Sequence, residues 1–251
     1  MKNSEFQTYK QLKVIIFIAT FCIYGLCSCS DDTCFKGAGK IANQTNLTSQ
    51  FNTIQIEGIF NIELIQDTSY FIKLYGGSNL LEQTQIEVVD SVAICNNFSK
   101  CAVFKNHEKV FLQIHFKNLS NIIINEACLL ISKNPITCNL AIQMNANLAE
   151  INLNLNNNIF TFNTEGKAGG KFTFNGKSNI CKLTAQYVSQ IDARNLQVKN
   201  LTITNGSIQN FYVQATDTLI AKTTKTGCIF YLGNPRYIDA TKANDLLTKM
   251  K

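Results

Sequence analysis

The chain has 251 residues, 45% of them hydrophobic and 16% charged, with two prolines and no tryptophan; this is a globular composition, long enough for one large or two small cores. The formal charge is +6, and the three lysines and one glutamate of residues 1–28 leave about +4 for the rest. That excess is spread thinly, its one dense cluster (Lys242, Lys249, Lys251) is explained by a solvated end, and the only arginines are Arg194 and Arg236, so a nucleic-acid footprint is excluded.

In chain order, Lys2, Lys10 and Lys13 precede an apolar run from Val14 to Leu26. Thirteen residues make about 20 Å of helix, too short for a bilayer core of about 30 Å. The pattern predicts an export signal over 1–28. Its end, Leu26-Cys27-Ser28-Cys29, resembles a bacterial lipobox, which implies cleavage before Cys29 and a lipid on its sulfur and new amino end. The alternatives are a secretory signal cut elsewhere or an uncleaved anchor. Ser30, Asp31 and Asp32 resemble the short acidic tag that sends some lipoproteins to the outer face of the outer membrane; acidic residues are also ordinary tether composition. Residues 29–36 are thus expected to be a lipidated tether whose partner is the membrane.

From Ile41 onward period-two alternation dominates. In Ile151-Asn152-Leu153-Asn154-Leu155-Asn156 every odd residue is apolar and every even one asparagine. Phe172 to Asn175, Leu201 to Thr204 and Phe111 to Phe116 alternate likewise, and the last puts His115 opposite Leu112, Ile114 and Phe116. Ile54, Ile56, Phe60, Ile62, Leu64, then Phe71 or Ile72, and Leu74 predict short strands separated by turns at Gly58, Gln66 to Ser69 and Gly76 to Asn79. Helical turns are expected only within Asn79 to Gln85 or after Asp239. Taking Ile151, Phe172, Ile191, Tyr212 and Ile229 as strand starts gives spacings of 21, 19, 21 and 17, each unit a strand, a turn and a second apolar run. Helix-free repeats near twenty residues predict a solenoid of β-rungs. In it, inward apolar residues stack about 4.8 Å apart, and asparagines at the corners can form ladders and take left-handed backbone. A β-sandwich with strands every 8–12 residues is the competing architecture.

Seven cysteines remain after the signal and Cys29: Cys34, Cys95, Cys101, Cys128, Cys138, Cys181 and Cys228. The odd count leaves at least one thiol unpaired. Cys95, Cys128, Cys181 and Cys228 sit in apolar runs and are expected as free core thiols. No zinc spacing links a cysteine to His107 or His115, and no metal or cofactor is expected. The acids Glu150, Glu165, Asp192, Asp217 and Asp239 fall at offsets that do not repeat, so no carboxylate pair for glycoside chemistry is predicted. Asp192 reads as a turn-capping residue. Glu63, Glu82, Glu87 and Asp90 read as solvent-facing, and His107 as part of a solvated turn. Neither a nucleophile elbow nor a phosphate-binding glycine loop occurs.

Several phrases in order resemble one family: Cys34 to Lys40; Phe51 through Ile54, Gly58, Phe60, Asn61, Ile62 and Leu64 to Asp67; Gly76-Gly77-Ser78-Asn79-Leu80-Leu81; Ile191-Asp192-Ala193 with Leu196; and Tyr231, Gly233, Asn234, Pro235. From about Cys34 to Ile238 the chain resembles the auto-transporter adhesin "head GIN" domain found in envelope lipoproteins. Gln186, Gln190 and Asn210 stand where that family often has corner glycines. The resemblance implies a right-handed parallel β-helix-like fold and no catalytic residues. It also implies a Cys34–Cys101 disulfide, with Cys101 paired to Cys95 or free as the alternatives.

The expectation is therefore an all-β chain, a right-handed parallel β-helix-like solenoid with irregular rungs over 37–240, followed by a polar tail over 241–251. The function expected is a non-enzymatic lipoprotein on the outer membrane, an adhesin or ligand-binding module facing outward toward glycan or host protein. A periplasm-facing scaffold or sensor with an envelope-protein partner is the alternative, and a polysaccharide-active enzyme the third choice. The outward residues Asn152, Asn154, Thr173, Thr202, Thr204 and Gln214 are the candidate ligand face.

Overall fold

The computed structural model describes residues 37–97, 109–146, 148–243 and 245–251. The export signal, Cys29, the Ser30, Asp31, Asp32 tag, Cys34, Cys101 and His107 lie outside the described residues. Ala38–Ser99 with Asn106–Lys251 forms one compact unit; of the second, Met1–Gly37 with Lys100–Lys105, only Gly37 is described.

The strands are β1 (Ile41–Leu47), β2 (Thr53–Ile56), β3 (Phe60–Gln66), β4 (Phe71–Gly77), β5 (Thr84–Val89), β6 (Val92–Asn97), β7 (Val110–Phe116), β8 (Asn121–Ile124), β9 (Cys128–Ser132), β10 (Leu140–Met144), β11 (Ala149–Thr164), β12 (Gly170–Tyr187), β13 (Ser189–Ser207), β14 (Phe211–Thr223), β15 (Ile229–Leu232), β16 (Tyr237–Lys242) and β17 (Leu247–Lys249). Among the described residues one short helix, α1 (Ser78–Leu81), falls at the start of the window where a helical turn is expected. The fold is a parallel β-solenoid of about six turns, 68% strand and 2% helix.

Each turn contributes one stretch to each of two faces. Face A stacks β6, β2, β8, β10, the second parts of β11 to β14, and β16. Face B stacks β7, β3, β9, the first parts of β11 to β14, then β15 and β17. Alternation puts every second side chain inward. On face B one inward column runs Leu74, Leu112, Ile62, Leu130, Ile151, Phe172, Ile191, Phe211, Ile229, Leu247. On face A, Ile54, Ile122, Ile142, Phe162, Leu183, Ile203 and Ala221 do the same. The two faces meet through rings: Phe162 and Phe172 have centroids 4.6 Å apart, and Phe160 and Phe174 4.9 Å. Buried area of this kind is the main favourable contribution to folding.

Two details differ from the sequence expectations, and one open choice is resolved. The fourth column residue is Phe211, and Tyr212 is turned outward opposite Asp192. Adjacent aromatics let the apolar pattern slip by one position, which in a strand reverses the face. Of the pair Phe71 and Ile72, the buried residue is Ile72. Residues 241–251, expected as a tail, carry the end of β16 and all of β17; β17 pairs with β15 and seats Leu247 in the inward column.

The corners use asparagine as a ladder. Asn145 Nδ2 donates to Asn125 Oδ1 at 2.8 Å, and Asn125 in turn donates to Glu57. At the opposite corner Asn179 Nδ2 donates to Asn158 Oδ1 at 2.9 Å. Asn205 is fully buried and satisfied: its amide donates to Gln209 O and Cys228 O, and its oxygen accepts from Ser207 N. Gly176, at φ +103°, marks a register shift between β12 and β13, and a Cβ there would lie 2.0 Å from Leu155 O on the preceding rung. Only glycine fits both the backbone angle and the approach.

Candidate ligand-binding faces

The outward residues form rows as regular as the core columns. One row on face B reads Thr45, Lys73, Gln113, Glu63, Ile131, Asn152, Thr173, Asp192, Tyr212, Phe230, Thr248, crossing eleven strands. Asn152, Asn154, Thr173 and Gln214 belong to face B. Thr202 and Thr204 project from face A, next to Lys182 and Thr184 in register. The six predicted ligand residues are all outward but divide between two faces, because each long strand passes through both.

Three side-chain clusters stand on these faces. At the N-terminal end of face B, His115 stacks on Phe71 with centroids 3.9 Å apart, and its Nδ1 donates to Asp67 Oδ2 at 2.6 Å. Burial pushes the Asp67 carboxyl up, but the His115 bond and the Ser69 N–H outweigh it and hold it below the usual carboxylate value. Further along, β13 bulges between Ala193 and Gln197. Asp192 closes that bulge by accepting from Arg194 N at 3.3 Å and from Arg194 Nε at 2.9 Å. The Arg194 guanidinium lies 5.0 Å from the Tyr212 ring centroid, and Tyr212 stacks on Phe230 at 5.3 Å. The Arg194 bond also holds the Asp192 carboxyl below the usual range.

The third cluster is a groove of about 390 Å³ where face B turns into face A. Its charged residues are Lys177, Lys199, Asp217 and Arg236, and its neutral lining is Ser178, Asn179, Gln197 and Thr216. Arg236 Nε donates to Asp217 Oδ1, which holds that carboxyl low. Two further depressions are open: about 320 Å³ on face A around Ala141, Asn121 and Thr161, and about 810 Å³ between β1 and β5.

No pair of carboxylates is arranged for acid–base work among these residues. Glu150 projects from face B, Glu165 sits at a corner, and Asp192 and Asp217 are engaged by arginines. Asp239, on face A, accepts from Thr241 Oγ1 and N, and those bonds hold it low. A general acid needs a raised carboxyl pKa, and Asp192, Asp217 and Asp239 are all held below the usual carboxylate range. Among the described residues no group of three His, Cys, Asp or Glu is placed to hold a metal ion.

Cys95, Cys128, Cys138, Cys181 and Cys228 are free thiols. Cys95 is fully buried and points inward, and burial pushes it and Cys128 up to about 12.

The groove cations do not stand out in the linear sequence because the whole chain sums to a modest +6. The excess is in fact concentrated: residues 166–251 hold ten Lys and two Arg against four Asp, net +8, while residues 37–165 hold seven Lys against ten acids, net −3. Lys177 and Lys199 lie on the neighbouring strands β12 and β13, where Lys177 stands opposite Gln197, two positions before Lys199.

Solved structures share the architecture. An adhesin from Bacteroides fragilis, described as putative, is 21% identical, with 84% of this chain and 93% of that one covered and a TM-score of 0.74. A lipid-binding protein from Parabacteroides distasonis, also described as putative, is 18% identical over 86% and 98% of the two chains, with a TM-score of 0.62. An adhesin from Parabacteroides merdae, again so described, is 18% identical over 86% and 98%, with a TM-score of 0.52. At these identities the likeness is one of fold. No curated protein matches the chain. Its phrases occupy structurally demanding places: Asp192 closes the β13 bulge, and a Cβ on Gly233, at φ +96°, would lie 2.1 Å from Ala215 O. Residues 50–235 match the family described as "Putative auto-transporter adhesin, head GIN domain", and the chain belongs to that family.

Proposed function

We propose that the protein is a non-catalytic adhesion or ligand-binding module, tethered by a lipid on Cys29 to the outer membrane and displayed at the cell surface through the Ser30, Asp31, Asp32 tag. The observation that carries this reading is the outward row of face B, which crosses eleven strands from Thr45 to Thr248. A rigid face with polar groups repeated at about 4.8 Å suits an extended partner that repeats as well. The engaged aspartates support binding over catalysis, and family membership supports an envelope setting. The partners proposed are a glycan or a host or envelope protein, with Asn152, Asn154, Thr173 and Gln214 contributing on face B and Thr202 and Thr204 on face A.

Protease and antibody access on intact cells tests display, with Cys29→Ala as the tether control. Accessible wild type and loss of the variant from the membrane fraction are expected. Protection until the outer membrane is broken would replace this reading by the periplasm-facing scaffold and call for cross-linking to an envelope partner.

A further inference from the structure

We propose that the corner groove of the basic half binds an acidic polysaccharide, a sugar chain carrying carboxylate, sulfate or phosphate groups, laid along the stack of rungs. This names a ligand class for the binding role proposed above and rests on it.

Four successive rungs feed the groove: Lys177 from β12, Lys199 from β13, Asp217 from β14, and Arg236 from the start of the β16 rung. At about 4.8 Å per rung the charged strip is about 14 Å long. Three cations face one carboxylate, and Arg236 already engages it. Arg236 uses Nε for that contact, so its remaining N–H groups are available to a second anion. The three ion pairs among the described residues are His115–Asp67, Arg194–Asp192 and Arg236–Asp217; none includes a lysine. Lys177 and Lys199 are exposed and stand outside these ion pairs; Lys199 lies near enough to Asp217 to help hold its carboxyl low.

Further along face A, Lys222 and Lys242 stand opposite each other in register, with Asp239 near Lys242. Asn179, Gln197 and Thr216 add neutral donors and acceptors suited to sugar hydroxyls. The strip is concave, which fits a chain better than a planar anionic membrane, and no aromatic ring lines it for base stacking.

The test uses the full-length chain in a non-ionic detergent, with heparin and polygalacturonate as acidic probes, dextran as the neutral one, and phosphatidylglycerol vesicles as the membrane arm. Saturable binding to both acidic polymers is expected, weakening about tenfold or more between about 0.05 and 0.5 M salt. Lys177→Gln with Lys199→Gln should weaken it about tenfold. Lys117→Gln with Lys133→Gln, which removes the same charge from the other half, should leave it unchanged; circular dichroism checks that both variants fold. Equal loss in the two double variants, no loss in the first, or binding confined to vesicles would overturn the inference. Binding to dextran alone would overturn it while leaving a binding role intact. Heparin binding by the groove in cells whose protein is protease-protected would leave the inference standing and remove surface display.

Discussion

The two halves of the solenoid share a core but not an order. From β11 to β15 each new strand stacks on the one before it, so chain order and spatial order agree. In the first half they part: β2 lies between β6 and β8, and β3 between β7 and β9, so the rung made second by the chain sits outside the rung made first. Antiparallel strands then finish that end, β5 on β6 and β4 on β7, with β1 on β4. The inward column nevertheless passes through the reversal without a break, from Leu74 and Leu112 to Ile62 and Leu130. What the column requires is a residue of the right size at the right height, whichever part of the chain supplies it. The reversal has a use, because a parallel stack exposes backbone donors and acceptors at each end. Folding back covers the first rung with later chain and moves the open edges to β1 and β5. The charge is uneven too, net −3 over residues 37–165, which include β11, and +8 over 166–251, so the basic excess lies from β12 onward.

The comparison can be broken or sharpened by substitution. Phe172→Ala should have the largest effect, a loss of about 3–5 kcal/mol in denaturant unfolding, because Phe172 is fully buried against Phe162 in the centre of the regular half. Gly176→Ala should cost about 1–3 kcal/mol by the same measurement, since the added Cβ would lie 2.0 Å from a carbonyl oxygen. Ile62→Val and Ile191→Val should each cost about 0.5–1.5 kcal/mol, and by equal amounts, because they occupy one column on either side of the reversal. A much smaller loss at Ile62 would mean the capped half is packed differently. The smallest effect is expected at Asp192. Its folded carboxyl is held below the ordinary 3.8 by Arg194, so its contribution is present above that ordinary value and is lost as pH falls through the lower folded one. Asp192→Asn should flatten the acid limb of a stability–pH curve below about pH 4, by less than about 1 kcal/mol because the pair is half-exposed.

The regular half was legible in the sequence because its rungs repeat at nearly constant length. Ile151, Phe172, Ile191 and Ile229 share one column as their spacing implies, and only at the Phe211-Tyr212 pair does the pattern slip, both residues being aromatic. The first half gave strands but no repeat. The excursion through β4, α1 and β5 separates β3 from β6, and a reversed stacking order leaves no periodic trace in a linear pattern. Of the candidate sites, outwardness was legible and grouping was not. Period two tells which side of a strand Thr202 and Asn152 occupy, but not that a corner lies between their faces. The groove cations need the rung register first, since Lys177 and Lys199 become near neighbours only once Lys177 is known to stand opposite Gln197.

The central claim, one continuous solenoid running through a reversed rung, can be tested by engineered disulfides on face A. Gln55 pairs with Ile94 in the parallel register of β2 and β6, and with Ile123 of β8 on its other side. Ile94 and Ile123 are thus two strands apart, about 9.6 Å, beyond the reach of a disulfide. The neighbouring thiol of Cys95 is buried and pushed up to about 12, so it should stay out of the reaction. Gln55→Cys with Ile94→Cys should cross-link on mild oxidation, and Ile94→Cys with Ile123→Cys should not. Cross-linking of the second pair as well as the first would mean that the rungs stack in chain order, with β6 between β2 and β8, and would contradict the account.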